Sequence, residues 1–339
     1  MVNNQPIVFG PEHMHSIIPP LDTPLNEDGS LDTEALKRKI NHVLGDDYLE
    51  DRAQEPLVHG VFINGKTGEF PWTGEQVQKQ MVDATADLCR GIIPVLAGTT
   101  GRNLDETIEL SRYADKKADA LVIAPFYFNP LNAMVLSDVR KIANEVESPI
   151  YIYTNAELPG LNPDLIEHLS SIKAEEHINP TMFGLMILNI KNIYGAKVSS
   201  GDDDLFKQYE MSVKSKRHAT VFKGDETTAA REHKGRIILT KDIVPSLACI
   251  HPKLVRRLYD AICDGKEKEA LKFQAEINAI GSIIYCDYKK IVPGLKYAQS
   301  LMGLCGPKFV EPGKELTDED KKSIEHCVET DIAPEYVIN

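Results

Sequence analysis

Two residues that can do chemistry on a carbonyl group each close an apolar stretch of this chain. Lys197 follows the apolar residues 193–196, and Tyr153 ends the stretch that begins at Pro149. Burial disfavours the charged form of an ammonium group, which lowers its pKa and leaves more neutral amine to attack a carbonyl carbon. A nearby phenol can give and take the protons that this attack and a later carbon–carbon cleavage need. The alternative is that Lys197 only reaches the rim of the fold and pairs with an acid such as Asp202.

A second motif suggests phosphate chemistry, but its context does not fit. The segment 60–67 reads GVFINGKT and satisfies the phosphate-loop pattern GxxxxGK[ST]. Such a loop must follow a strand, expose backbone amides and run directly into a helix. Here the variable positions are themselves strand-like, and the residues after Thr67 read GEFPW, which is a poor helix start. The sequence therefore argues against a nucleotide triphosphatase.

The elements that must position these residues alternate between short apolar runs and longer amphipathic segments. Eight such units are typical of a closed (β/α)8 barrel of about 250 residues, the TIM-barrel architecture. Capping side chains or early carboxylates mark helix starts near Asp32, Thr73, Asn103 and Asn162. The predicted strands are 16–21, 58–64, 92–97, 120–124, 149–153, 193–197, 219–222 and 236–239.

The pattern becomes helical throughout after His251. We therefore expect a barrel in residues 1–250 and additional carboxy-terminal helices in an extension, residues 251–339. The helices predicted in this extension are 252–263, 266–284, 292–302 and 317–328.

The composition narrows the classes of partner and compartment. A formal net charge of -13 argues against nucleic acid and against an anionic membrane surface, because both attract concentrated lysine and arginine. No stretch approaches the roughly 18 apolar residues of a membrane span, and no secretion signal is recognisable. The six cysteines lack metal-ligand spacing, so a reducing, cytoplasmic location is expected. His13 and His15 have no third ligand at suitable spacing, and neither a metal nor a cofactor is predicted.

Seven segments share one further pattern, in order and across nearly the whole chain. They are TPLNEDGS at 23–30, GKTGEF at 65–70, PVLAG at 94–98, ADAL at 118–121, IYTN at 152–155, GAKVSSGD at 195–202 and LMGL at 301–304. In these segments the chain resembles the dihydrodipicolinate synthase and N-acetylneuraminate lyase family of class I pyruvate aldolases. The resemblance implies a barrel with carboxy-terminal helices and a homo-oligomer, either a dimer or a tetramer. It also implies a small-molecule 2-keto acid and an aldehyde as partners, and no cofactor.

The resemblance further implies catalytic roles for three residues. Lys197 matches the lysine that forms a Schiff base with the keto acid. Tyr153 matches the tyrosine that transfers protons to and from the reacting groups. Tyr127 matches a tyrosine that completes a proton relay across a subunit boundary in the family.

Other positions match substrate-binding residues of the family. Thr67 and the backbone from Gly65 through Lys66 to Gly68 match the segment that holds the carboxylate of the keto acid, a use that amide donors allow. Asn155 is a candidate partner for the hydroxyl groups of a sugar-derived acid, although it suits an ordinary loop equally well. Two more residues are expected to bring their backbone close to substrate: Gly224 and Ile237.

Two positions depart from the family pattern. Lys66 stands where the family usually has a hydroxyl residue, so it either lowers the pKa of Lys197 by repulsion or points to solvent and contacts a substrate carboxylate. Leu158 stands where the synthase branch carries an arginine for the carboxylate of its second substrate, which disfavours that reaction. Arg236 and Lys241 also depart from the pattern, without a firm account.

These features predict a carbon–carbon lyase that reversibly cleaves a 2-keto-3-deoxy sugar acid into pyruvate and an aldehyde. A dehydratase or hydratase-aldolase is one alternative, since the same Schiff base acidifies C3 and can expel a hydroxyl group. A barrel that binds a keto acid without catalysis, as a sensor or structural subunit, is the other, because a fold alone does not establish function. The presence of both Lys197 and Tyr153 argues against this last reading.

Overall fold

The computed structural model describes residues 16–46, 48–50, 54–125, 132–155, 178–216 and 219–336. Its central feature is a curled six-stranded parallel sheet in which each strand pairs with the next along the chain. The strands are β1 (Val61–Ile63), β2 (Val95–Gly98), β3 (Ala120–Ile123), β4 (Ile150–Asn155), β5 (Ile193–Ser199) and β6 (Thr220–Lys223). The helices around them are α1 (Thr33–Leu44), α2 (Glu75–Cys89), α3 (Leu104–Ala114), α4 (Asn132–Ala143), α5 (Pro180–Asn189) and α6 (Asp203–Val213). This alternation confirms the α/β class.

Side-chain caps fix where several of these helices begin. The Asp32 carboxylate accepts a hydrogen bond from the Ala35 amide at 2.9 Å, and Asp202 caps α6 in the same way. The Asn103 side chain does so for α3. The predicted start at Thr73 differs by one residue, because Gly74 precedes α2 without a side-chain cap. The predicted start at Asn162 lies outside the described residues.

The first three strands are short, apolar and buried along their whole length. Every residue of β1, β2 and β3 is buried, as a parallel sheet requires when helices cover one face and side chains fill the other. Such strands carry no alternation of polar and apolar residues, so a polar side chain at a strand end stands out. The polar ends of β4 and β5 are therefore where chemistry is expected.

Isolated β-bridges connect the two edges of the sheet. The segments that make them form no continuous strand pairing. The predicted first strand, 16–21, is present as isolated parallel bridges, from Ile17 to Ile243 and from Pro20 to Phe62 in β1. Ile243 also bridges to Lys223 at the end of β6. Hydrogen bonds of this kind continue the strand direction across both edges of the sheet.

The prediction of an eighth parallel strand at 236–239 is wrong. β7 (Ala230–His233) and β8 (Arg236–Leu239) form a separate antiparallel hairpin. Its two-residue turn, Lys234 and Gly235, has φ angles of 51° and 73°, which is the backbone that a tight hairpin turn needs. Because this turn lets 236–239 pair locally, Ile243 and its neighbours take the place beside β6.

Four helices follow the sheet, close to where the sequence predicts them. They are α7 (Pro252–Cys263), α8 (Glu267–Ile284), α9 (Ile291–Leu301) and α10 (Asp318–Cys327). Pro252 occupies the first turn of α7, where its missing amide hydrogen costs nothing. The division of the chain at residue 250 stays a prediction. Within the described ranges, no helix is both long and apolar enough to span a membrane.

Candidate active site

Lys197 and Tyr153 lie side by side at the ends of neighbouring strands. The parallel pairing of β4 with β5 sets Tyr153 opposite Lys197 and Asn155 opposite Ser199, so that all four side chains share one face of the sheet. The Lys197 Nζ atom lies 4.1 Å from the centre of the Tyr153 ring and 5.2 Å from that of Phe62. Lys197 is 7% exposed and Tyr153 is 3% exposed. The amine therefore faces an enclosed aromatic wall rather than bulk water.

The surroundings of the Lys197 amine favour its neutral form. Burial is the largest influence and lowers the pKa below the ordinary value of 10.5. Charge and hydrogen bonding at Tyr153 oppose this effect, whereas the Lys66 ammonium lowers the pKa further. The net direction is downward, which raises the fraction of reactive amine near neutral pH. The influence of Lys66 agrees with the repulsion that the sequence offers as one interpretation.

The Tyr153 phenol is poised to lose its proton more readily than usual. Burial raises the pKa of this group. The charge of Lys197 and several smaller effects lower the pKa, and together they outweigh burial. One of these is a hydrogen bond from the Asn155 side-chain nitrogen to the phenol oxygen, at 3.2 Å. Others come from Lys66 and Ser199, and the pKa ends below its ordinary value of 10.0. A phenol of this kind suits proton transfer.

Gly224 follows β6 and leaves room for the Lys197 side chain. A Cβ atom at this position would lie 2.2 Å from the Ser199 Oγ atom and 2.9 Å from the Lys197 Cε atom. Both separations are too short, so a side chain at this position would force Ser199 and Lys197 to move. Gly224 thus leaves the space that the Lys197 side chain occupies.

The segment after β1 is a tight loop whose backbone is held from several sides. Asn64 and Glu69 have positive φ angles of 53° and 59°, which turn the chain sharply around Thr67. The Thr23 hydroxyl donates a hydrogen bond to the Gly68 carbonyl at 2.7 Å. A Cβ atom at Gly65 would lie 2.5 Å from the Phe62 ring. The loop therefore presents Thr67 and its backbone in one fixed arrangement.

A buried ion pair ties this loop to the carboxy-terminal helices. The Glu69 carboxylate pairs with the Lys296 ammonium of α9, and both side chains are fully buried. Glu69 also accepts hydrogen bonds from the backbone amides of Val310, at 2.6 Å, and Glu311, at 3.2 Å. The charges and the amide donors satisfy one another, as buried charges must.

The same loop confirms that the phosphate-loop pattern has no matching structure. β1 fills the variable positions 61–63 of that pattern. The chain then continues in turns, and α2 begins only at Glu75. The backbone amides that would surround a phosphate group belong to the sheet instead.

These elements surround a cavity of about 1020 Å³. The predicted site residues that line it are Lys66, Thr67, Tyr153, Asn155, Lys197 and Gly224. Gly65 and Gly68 shape the loop behind this wall without lining the cavity. The volume exceeds what pyruvate alone would fill and suits a ligand of drug-like size.

Ile237 is misplaced by the sequence prediction. It lies in β8, opposite Glu232 of the hairpin, and is absent from the cavity wall. The residues beside β6 that do line the cavity are Val244 and Ser246. The error follows from assigning the eighth parallel strand to 236–239. Four other residues that the sequence analysis singled out lie outside the described residues: Tyr127, Leu158, His13 and His15.

Several cavity residues escape sequence reasoning. Ser199 is two positions beyond Lys197 in the same strand, so strand alternation alone places both on one face and was a usable signal. The other missed residues carry no such signal, because they reach the cavity only through tertiary packing. The lining residues that were missed include Ser199, Val244, Ser246, Asn278, Tyr288 and Lys289.

Comparison with known proteins matches this chain over nearly all of its length. A curated relative, the 4-hydroxy-tetrahydrodipicolinate synthase of Bartonella bacilliformis, is 28% identical over 311 residues, which are 91% of this chain and 95% of the relative. YagE of E. coli K12, described as a prophage protein of the dihydrodipicolinic acid synthase family in complex with pyruvate, superposes with a TM-score of 0.75 at 24% identity, over 93% of this chain and 97% of YagE. The N-acetylneuraminate lyase of Mycoplasma synoviae superposes with a TM-score of 0.72 at 20% identity, over 94% of this chain and 97% of the lyase.

The superpositions establish the fold, and the sequence match establishes the family. The prediction that the chain is an enzyme of the lyase type is confirmed by these relatives. The profile described as the dihydrodipicolinate synthetase family matches residues 13–331. This chain therefore belongs to the dihydrodipicolinate synthetase family.

Proposed function

We propose that this enzyme is a Schiff-base-forming aldolase that makes and breaks a carbon–carbon bond between pyruvate and an aldehyde. In its most specific form, the proposal is that the enzyme is a 2-keto-3-deoxy sugar acid aldolase. The observation that carries the proposal is the buried Lys197 amine, 4.1 Å from the centre of the Tyr153 ring in a cavity of about 1020 Å³. An amine that is kept from water and lowered in pKa is the nucleophile that this chemistry needs.

The cleavage steps follow from the positions of these two side chains. The neutral Lys197 amine adds to the C2 carbonyl of the keto acid, and loss of water gives an iminium ion. Tyr153 removes the proton of the C4 hydroxyl group, the C3–C4 bond breaks, and its electron pair moves to the iminium nitrogen. An aldehyde leaves, and the enamine gains a proton at C3. Water then hydrolyses the iminium ion and releases pyruvate.

The loop after β1 is proposed to hold the carboxylate of the keto acid. Thr67 offers a hydroxyl group, and the tight backbone on either side of it offers amide donors. Charge-assisted hydrogen bonds of this type orient a carboxylate strongly. The buried pair of Glu69 with Lys296 keeps the loop in one arrangement, which lowers the cost of binding.

Three features of the family extend the proposal. The single bridges at Ile17, Pro20 and Ile243 support closure of the sheet as an eight-stranded (β/α)8 barrel. The subunits are proposed to form a dimer or tetramer, in which Tyr127 completes the proton relay. A cytoplasmic location and small-molecule substrates stay part of the same proposal.

Borohydride trapping with pyruvate tests the central claim. The protein is treated with pyruvate and sodium borohydride, and intact mass spectrometry with peptide mapping is expected to find one reduced pyruvate adduct, on Lys197. A Lys197→Met variant is expected to give none. A Lys314→Met variant, which removes another lysine of the cavity wall, is the matched control and keeps the adduct. Absence of any adduct on the wild-type protein would favour a keto-acid sensor.

Product analysis separates the aldolase from the dehydratase. The enzyme is incubated with 2-keto-3-deoxy sugar acids, and the products are identified by chromatography and mass spectrometry. An aldolase releases pyruvate and an aldehyde in equal amounts. A dehydratase releases water and retains the full carbon chain, which would contradict the specific form of the proposal.

A further inference from the structure

The outer wall of the cavity carries two lysines from the carboxy-terminal extension. Lys289 precedes α9, and Lys314 lies in the connection between α9 and α10; both line the same cavity as Lys197. The Lys314 Nζ atom donates a hydrogen bond to the backbone carbonyl of Lys289 at 3.1 Å. The Lys314 ammonium group thereby lies against the backbone of Lys289, and both residues belong to one wall of the cavity.

Neither of these two lysines is paired with an acid in the part of the chain that the structure describes. Among the described residues, neither Lys289 nor Lys314 takes part in an ion pair, whereas the adjacent Lys290 pairs with Asp320 at 2.7 Å. Two acids line the same cavity, Asp225 and Glu311, and neither forms an ion pair with Lys289 or Lys314 among the described residues. The Asp225 carboxylate is already engaged. It accepts hydrogen bonds from the Thr227 amide and hydroxyl groups, at 3.1 Å and 2.7 Å. Both ammonium groups are therefore available to an anionic ligand.

The backbone before Lys289 is held in an unusual conformation. Cys286, Asp287 and Tyr288 have φ angles of 50°, 53° and 64°, a run of three non-glycine residues in the left-handed region. The Asp287 amide bonds to the Ser282 carbonyl at 2.8 Å, and the Ser282 hydroxyl donates to the Asp287 carboxylate at 2.9 Å. Strain of this kind persists where the surroundings impose it, and it gathers at ligand sites.

This strained turn has a direct effect on the cavity. It ends α8 sharply and presents Tyr288 and Lys289 to the cavity, while Lys290 turns away to its partner. Asn278 of α8 and Thr227 add uncharged polar groups to the same region. The wall therefore combines the two lysines with uncharged polar side chains, of which Asn278 also donates to the Thr227 carbonyl and Thr227 to the Asp225 carboxylate.

We propose that Lys289 and Lys314 bind an anionic group, a carboxylate or a phosphate, at the end of the second substrate that is remote from the Schiff base. The inference rests on the proposed function, because it assigns the inner end of the cavity to pyruvate at Lys197. Lysine presents a compact charge with three donors, which suits either oxyanion. The aldehyde partner is thus a short chain with hydroxyl groups and a terminal negative charge.

Calorimetric titration of small anions tests the inference without requiring turnover. The full-length protein, saturated with pyruvate to occupy the inner site, is titrated with succinate, with glycerol 3-phosphate and with glycerol. We expect binding of at least one of the two anions and none of glycerol. A Lys289→Gln/Lys314→Gln variant is expected to weaken that binding at least tenfold. A Lys272→Gln variant, which changes an exposed lysine of α8 outside the cavity wall, is the control and binds as the wild type does.

The two anions report which oxyanion the site prefers. Tighter binding of succinate indicates a carboxylate, and tighter binding of glycerol 3-phosphate indicates a phosphate. Failure of the wild type to bind either anion, or unchanged binding in the double variant, would overturn the inference.

Borohydride trapping in the same variants separates this inference from the proposed function. Retention of the pyruvate adduct in the double variant shows that the inner site is intact. A pyruvate adduct without anion binding would contradict only this inference. Anion binding without a pyruvate adduct would contradict only the proposed aldolase activity.

Discussion

Replacing Lys296 with methionine tests whether the buried ion pair holds the loop after β1, which is proposed to bind the carboxylate of the keto acid. Glu69 and Lys296 are both fully buried, so the variant leaves a carboxylate without its counter-charge in the interior. Breaking a buried pair in this way costs about 3–5 kcal/mol. Glu69 keeps its two amide donors, at Val310 and Glu311, which places the expected loss near the lower end, about 3 kcal/mol.

The loss is expected to be visible in both stability and binding. For a chain of 339 residues, about 3 kcal/mol lowers the midpoint of thermal unfolding by about 4 °C. Urea unfolding followed by circular dichroism, at fixed protein concentration, gives the free-energy change directly. The KM for pyruvate is expected to rise, because the loop that presents Thr67 loses its anchor.

Two further variants separate the buried charge from a general loss of packing. A Lys296→Met/Glu69→Gln variant removes both charges and keeps a hydrogen-bond acceptor at position 69, so it is expected to recover more than half of the lost stability. A Lys290→Met variant breaks the half-exposed pair with Asp320 and is expected to cost about 1 kcal/mol or less. The reasoning is refuted if Lys296→Met costs no more than Lys290→Met, or if the double variant is as unstable as Lys296→Met.

Three other predictions follow from the geometry of the site. Gly224→Ala is expected to reduce the rate of borohydride-trapped adduct formation at least tenfold, because its Cβ atom would meet Ser199 and Lys197. The control is Gly74→Ala, whose Cβ atom would meet nothing within 4 Å, and it is expected to leave the rate unchanged. Lys66→Met removes a like charge beside Lys197 and raises the Lys197 pKa, so the rate of adduct formation is expected to rise at higher pH than in the wild type; an unchanged pH profile would exclude the repulsion. Burial raises the pKa of Glu226 from 4.5 to about 7, so the folded state binds more protons than the unfolded state over that window and loses stability as pH rises through it. Glu226→Gln removes this titration, and urea unfolding at about pH 5 and about pH 7.5 is expected to show a smaller fall in stability than in the wild type, by up to ~3 kcal/mol; equal falls would contradict the assignment.

The sequence predicts this fold best where local chemistry decides the structure. α7 begins and ends at the predicted residues because Pro252 is restricted to the first turn of a helix and Gly265 lies just beyond its end. β5 carries a lysine among apolar residues near its carboxy end, which made Lys197 conspicuous. In both cases a single residue type carries a strong local preference.

The eighth strand shows where such local reasoning fails. The apolar residues 236–239 do form a strand, but an apolar run does not say which strand it pairs with. The Lys234–Gly235 turn just before it was the local signal for a hairpin, since glycine readily adopts the positive φ that such a turn needs. Because residues 236–239 pair with β7 and not with β6, Ile237 lies outside the cavity wall.

The outer cavity wall was beyond prediction for a different reason. Lys289 and Lys314 reach the site through the packing of the carboxy-terminal helices, and nothing in their immediate neighbours distinguishes them from exposed lysines. Only the three-dimensional arrangement gives them a common ligand. Tertiary proximity of this type has no counterpart in hydropathy or capping patterns.

The residues that line the cavity are far apart in the sequence and range from Lys66 to Lys314. A ribosome delivers these two residues at very different times, so the nascent polypeptide carries Lys197 for more than a hundred codons before the chamber can close over it. A premature stop or a proteolytic cut before the turn at 286–288 would leave the reactive amine in a chamber with one side missing.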